Sequence, residues 1–67
     1  MTTKLKVLFF RSGLHQYELA FRLGCTETRV SRMARGRIEP TDEECQLLAG
    51  ILGVTPKEVA SSVREPA

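Results

Sequence analysis

The sequence predicts an all-α fold, a compact bundle of five short helices, and three observations predict it. Apolar residues recur at i, i+3 and i+4 in successive stretches, which is the period of one helical face. Glycines stand just past the ends of those stretches, and threonines stand just before most of their starts. No stretch alternates apolar and polar residues as a strand would, and no internal repeat is present.

The first helix starts after Thr2 or Thr3 and carries Leu5, Leu8 and Phe9 on one face; Gly13 ends it. The second starts near His15 or Gln16, with Leu19, Ala20 and Leu23 inward. Glu18 stands where it can reach back to His15, although histidine is a poor cap. Gly24 ends this helix, and Cys25 is a one-residue apolar spacer. Thr26 caps the third helix, with Glu27 in the first turn where the helix dipole favours an anion. Val30 and Met33 point inward, while Arg29, Arg32 and Arg35 lie on the outer side. Gly36 ends the third helix, and a loop runs to Pro40.

Thr41 caps the fourth helix and Glu44 completes a capping box. Cys45, Leu48, Ala49 and Leu52 form its inner face, and Gly53 ends it. The string Thr55-Pro56-Lys57-Glu58 combines a cap, a first-turn proline and a capping-box glutamate. The last helix carries Val59 and Val63 and is expected to fray before Pro66.

A length of 67 residues predicts one domain over residues 1–67, with a small core and marginal stability. Hydrophobic residues make up 42%, too many for a disordered tail. No apolar run approaches the roughly 20 residues of a membrane span. The opening residues 1–10 lack a small-residue cleavage site, so they do not read as a signal peptide and the expected location is the cytoplasm. Cys25 and Cys45 stand twenty positions apart with a single histidine in the chain. That is no zinc pattern, and both thiols read as buried and inert. No metal or cofactor is expected. There is no Ser-His-Asp set and no glycine-rich phosphate loop, so the chain does not read as an enzyme.

Charge is unevenly distributed. Residues 1–38 hold eight basic and two acidic side chains, net +6, whereas residues 39–67 hold two basic and six acidic ones, net −4. A basic front half suggests a polyanionic partner on one side of the molecule. Chance asymmetry on a solvated surface is the alternative.

The most informative unit is helix, glycine turn, helix across about residues 16–35. Ala20 lets two helices approach, Gly24 permits positive φ in a tight turn, and Val30 holds the second helix to the core. The strings Gly13-Leu14-His15-Gln16-Tyr17-Glu18-Leu19-Ala20, Leu23-Gly24, Ser31-Arg32, Arg35-Gly36-Arg37, Glu39-Pro40 and Leu52-Gly53-Val54 resemble the phage-repressor and Cro type of helix-turn-helix protein. The resemblance runs from about residue 4 to 60. It implies a repressor-like domain that binds double-stranded DNA and regulates transcription, with the third helix in the major groove.

The resemblance also implies residue roles. Gln16 matches a phosphate-contacting glutamine. Glu27, Thr28 and Arg32 match positions that reach base edges, and Arg29, Arg35 and Arg37 match backbone-contacting positions. The chemistry agrees: arginine pairs bidentately with guanine, a threonine methyl meets thymine, and glutamate accepts from cytosine. Plainer readings stand beside these. Arg32 could contact phosphate alone, Thr28 could only support the helix start, and Glu27 could serve only the helix dipole. Tyr17 fits a phosphate contact or, the favoured reading, a stack on Phe21.

Three departures from the family pattern are visible. His15 replaces the usual small polar cap. Phe9 and Ala34 replace an arginine and a glutamate that many relatives pair inside the fold, and exchanging a buried ion pair for packed hydrocarbon is often neutral or stabilising. Val7, Phe10, Leu47 and Ile51 fall outside the core stripes. They either widen the core or form a patch for a partner. Because the family commonly forms twofold dimers, a homodimer interface at Phe10, Leu47 and Ile51 is the first candidate. A protein-interaction module, such as the antitoxin of a toxin–antitoxin pair, is the alternative function.

Overall fold

The computed structural model describes residues 3–66 and contains five helices: α1 (Lys4–Arg11), α2 (Gln16–Leu23), α3 (Glu27–Ala34), α4 (Asp42–Leu52) and α5 (Pro56–Ser62). The order, number and approximate bounds are those the periodicity predicts. Four of the five starts are capped by a threonine hydroxyl: Thr3, Thr26, Thr41 and Thr55 each accept the backbone N–H three residues on. The alternative cap at Thr2 lies outside the described residues. The full reciprocal box forms only at α4, where Thr41 accepts from Glu44 N and Glu44 accepts from Thr41 N. The boxes expected at His15–Glu18 and Thr55–Glu58 do not close; His15 makes no side-chain cap bond at all.

The inward residues form one core. Leu5 and Phe9 of α1, Leu19 and Ala20 of α2, and Val30, Met33 and Ala34 of α3 meet Cys45, Leu48 and Ala49 of α4 and Val59 of α5. Helix α2 packs on α3 and α4, α1 packs on α3 and α5, and α4 packs on α5. Helix α3 is thereby held along one side only. Phe9 and Ala34 are both buried, so this part of the core is hydrocarbon.

The C-terminal end differs from expectation. In place of fraying, Val63 is buried and the segment after it is tied to the start of α1. Lys4 N donates to Glu65 O at 2.8 Å, and Thr3 and Pro66 form an isolated antiparallel bridge. The Thr3 hydroxyl also donates to the carbonyl of Ala34 at the end of α3. A backbone bridge of this kind leaves no periodic trace in sequence.

Candidate nucleic-acid interface

Helix α3 buries Val30, Met33 and Ala34, which leaves its opposite side in solvent. At 3.6 residues per turn that side presents two i, i+4 rows: Glu27, Ser31 and Arg35 in one, Thr28 and Arg32 in the other. Together with Gln16 and Arg37 they line a single open cleft of about 540 Å³. Six of the residues singled out from the sequence therefore meet in one place: Gln16, Glu27, Thr28, Arg32, Arg35 and Arg37. Ser31 also lines the cleft and is not among the contact residues that the sequence points to. Its place in the row between Glu27 and Arg35 was the signal for it.

Local backbone geometry brings the two ends of the cleft together. Gln16 is the first residue of α2, and the αL turn at Gly24 folds α3 back against α2. At the far end, Gly36 takes φ +74°, its N–H donates to Met33 O, and Arg37 N donates to Arg32 O at 2.9 Å. This is the two-bond closure of a Schellman motif, and it turns Arg37 back beside the helix that it follows. A side chain at Gly36 would meet the Val63 carbonyl at 3.0 Å and a methyl of Thr3 at 3.2 Å, so the turn is pressed against both termini.

The cleft is cationic. Arg32, Arg35 and Arg37 stand against Glu27 alone, and none of these four belongs to an ion pair among the described residues. Three free guanidiniums around a concave surface attract a polyanion, and the hydroxyls of Thr28 and Ser31, one in each row, can donate or accept hydrogen bonds.

Arg29 is not part of the cleft. It lies on the flank of α3 that faces α4, where Nε donates to Glu44 Oε2 at 2.8 Å and Nη2 donates to Glu44 Oε1 at 2.7 Å. Glu44 is buried. The Arg29 guanidinium, helped by the Thr41 N–H, holds its carboxyl at about 2, below the ordinary carboxylate range, against the opposing effect of burial.

The outer apolar residues do not form one patch: of Phe10, Leu47 and Ile51, only Phe10 lines the hollow beside α1. Phe10 is exposed and lies in a hollow with Lys6, Phe9, Leu14, His15 and Gln16. Ile51 is half-buried and packs on the core, Val7 is half-buried, and Leu47 is exposed on α4. Tyr17 does not stack on Phe21. Its ring lies parallel to that of His15, with centroids 5.5 Å apart, and Phe21 stands free in solvent. Burial pushes the thiols of Cys25 and Cys45 up, away from the reactive thiolate form. Among the described residues no cluster of His, Cys, Asp or Glu could hold a metal ion, and no helix is long and apolar enough to cross a membrane.

Five helices of this arrangement, with a glycine turn between the second and third, define a helix-turn-helix DNA-binding domain. Residues 11–59 match the family model described as helix-turn-helix, and the chain belongs to that family, which is found in phage repressors and Cro-like regulators. No curated protein and no solved structure matches it significantly.

Proposed function

We propose that the protein is a sequence-specific transcriptional regulator whose α3 enters the major groove of double-stranded DNA. The reading rests above all on the convergence of Gln16, Glu27, Thr28, Arg32, Arg35 and Arg37 on one cationic cleft. Thr28 and Arg32 share the groove-facing row and read base edges: Arg32 pairs with a guanine, and Thr28 offers its methyl or hydroxyl. Glu27 at the helix start accepts from a cytosine amino group or orients the helix through its dipole. Gln16, Arg35 and Arg37 at the two ends of the cleft hold phosphates and fix the register. Arg29 acts differently from its family position, because two of its nitrogens already serve Glu44; it sets the angle of α3 on α4. DNA binding of this kind supports a cytoplasmic location, where the DNA would be met.

The test is selection of bound sequences from a random duplex pool with the purified chain. A defined motif containing a G·C pair at a fixed position supports the proposal. A recovered pool with no sequence preference overturns it.

A further inference from the structure

We propose that Thr3 is a positioning residue for DNA binding: it seats the turn after α3 and so aims Arg35 and Arg37 into the cleft. The proposal rests on the reading that those two arginines hold phosphates.

Thr3 lies outside the cleft and is buried. Its hydroxyl has two partners. It accepts the Lys6 N–H, which caps α1, and it donates to the carbonyl of Ala34, 31 residues away. A cap needs only the acceptor, so the second bond serves something else. Ala34 is the last residue of α3, and its carbonyl is one of those that a helix end leaves without an internal partner. The Thr3 methyl meets the next turn. A Cβ at Gly36 would lie 3.2 Å from that methyl and 3.0 Å from the Val63 carbonyl. Residues 34–36 therefore rest on Thr3 and Val63.

That support is itself tied down. Val63 is buried in the core, Lys4 N donates to Glu65 O at 2.8 Å, and Thr3 bridges Pro66. Arg35 and Arg37 flank Gly36, and both line the cleft. Neither guanidinium makes an ion pair among the described residues. The backbone from which they grow thus sets where their charges lie. A turn seated in advance spares the ordering cost that a loose one meets on binding.

Affinity for a duplex selected by the wild type, measured over a salt series, tests this. Thr3→Val keeps the side-chain shape and removes the hydroxyl. It is expected to weaken binding on the order of tenfold. It is also expected to flatten the plot of log affinity against log salt by up to about 0.9, the value for one phosphate contact. Thr3→Ser keeps the hydroxyl and is expected to keep the wild-type slope. Lost stability alone leaves the slope of the folded protein unchanged. In an Arg35→Ala/Arg37→Ala background Thr3→Val is expected to cause no further loss, because its effect passes through those arginines.

Lys4→Pro reaches the same support without touching Thr3. Proline suits the first position of a helix, and Thr3 already holds the extended backbone (φ −91°, ψ 161°) that a following proline requires. Lys4→Pro and Lys4→Ala both lose the ion pair with Glu65, but only the first loses the N–H bonded to Glu65 O. Lys4→Pro is expected to bind more weakly than Lys4→Ala, and this comparison decides the matter if Thr3→Val loses its helix content. Folded Thr3→Val with wild-type affinity and slope overturns the proposal, as does an equal further loss in the arginine-free background. Where Thr3→Val does not fold, equal binding by the two Lys4 variants overturns it. An unchanged slope for Arg35→Ala/Arg37→Ala itself removes the phosphate reading, and the proposal with it.

Discussion

Arg29 and Glu44 form a two-point ion pair that fastens α3 to the first turn of α4, with N–O distances of 2.8 and 2.7 Å. The same carboxylate accepts the Thr41 N–H at 2.9 Å and so closes the capping box of α4. One buried side chain thus joins two tasks, starting a helix and setting the angle of its neighbour. The neighbour is the helix that carries the cleft.

This pair predicts a pH dependence. The Glu44 carboxyl titrates near 4.5 in the unfolded chain and at about 2 in the folded one. A depressed folded value stabilises the protein above the unfolded value, and that stability is lost as pH falls from about 4.5 towards 2. Its size is on the order of 3 kcal/mol. Urea unfolding at a series of pH values should show wild type losing that much more than Glu44→Gln across this window. Parallel profiles would remove the pair as a source of stability.

The geometry separates two arginines that resemblance alone groups together. Arg37→Ala should flatten the plot of log affinity against log salt by roughly 0.9, the value for one phosphate contact. Arg29→Ala should leave that slope unchanged while lowering stability by about 1–3 kcal/mol, because it strands a buried carboxylate. DNA titrations at several salt concentrations, with unfolding curves for the same variants, distinguish the two. A flattened slope for Arg29→Ala would return Arg29 to the phosphate contacts.

Two turn glycines should differ in cost. Gly24 and Gly36 both hold positive φ, but a Cβ at Gly24 meets nothing within 4 Å, whereas one at Gly36 meets the Val63 carbonyl at 3.0 Å. Gly24→Ala should cost about 1–2 kcal/mol from backbone strain alone. Gly36→Ala should cost more, because the nearest crowding atom is the backbone carbonyl of Val63, with a Thr3 methyl at 3.2 Å beside it. Equal losses in chemical denaturation would mean that the contact between the end of α3 and the termini is loose.

The hydrocarbon layer between α1 and α3 offers another check. Phe9 and Ala34 are 4% and 1% exposed. Phe9→Arg should destabilise by about 3–5 kcal/mol, since it buries a charge without a partner. Adding Ala34→Glu should recover part of the loss in the same unfolding assay. A double variant no more stable than the single would show that the two positions do not face one another.

Sequence showed most of this architecture because its determinants are local. Threonine caps, glycine ends and the i, i+3, i+4 spacing act within one turn, and they placed all five helices. The cleft was legible for a related reason: Thr28, Arg32 and Arg35 share a helix side that carries no apolar residue. What stayed hidden depends on contacts across the chain. Nothing local reveals that Glu44 draws Arg29 away from the cleft, that Glu65 and Pro66 are pinned by Lys4 and Thr3, or that Tyr17 turns to His15 and leaves Phe21 bare.

The central claim is that α3 reads bases, and Arg32→Ala tests it most directly. Affinities of wild type and variant are measured on the selected site and on an unrelated duplex at one salt concentration. The account predicts a loss of about 1–3 kcal/mol on the selected site, with relaxed preference at one G·C pair and a much smaller loss on the unrelated duplex. Loss by the same factor on both duplexes would contradict it, making Arg32 a phosphate contact and removing the base reader from this cleft.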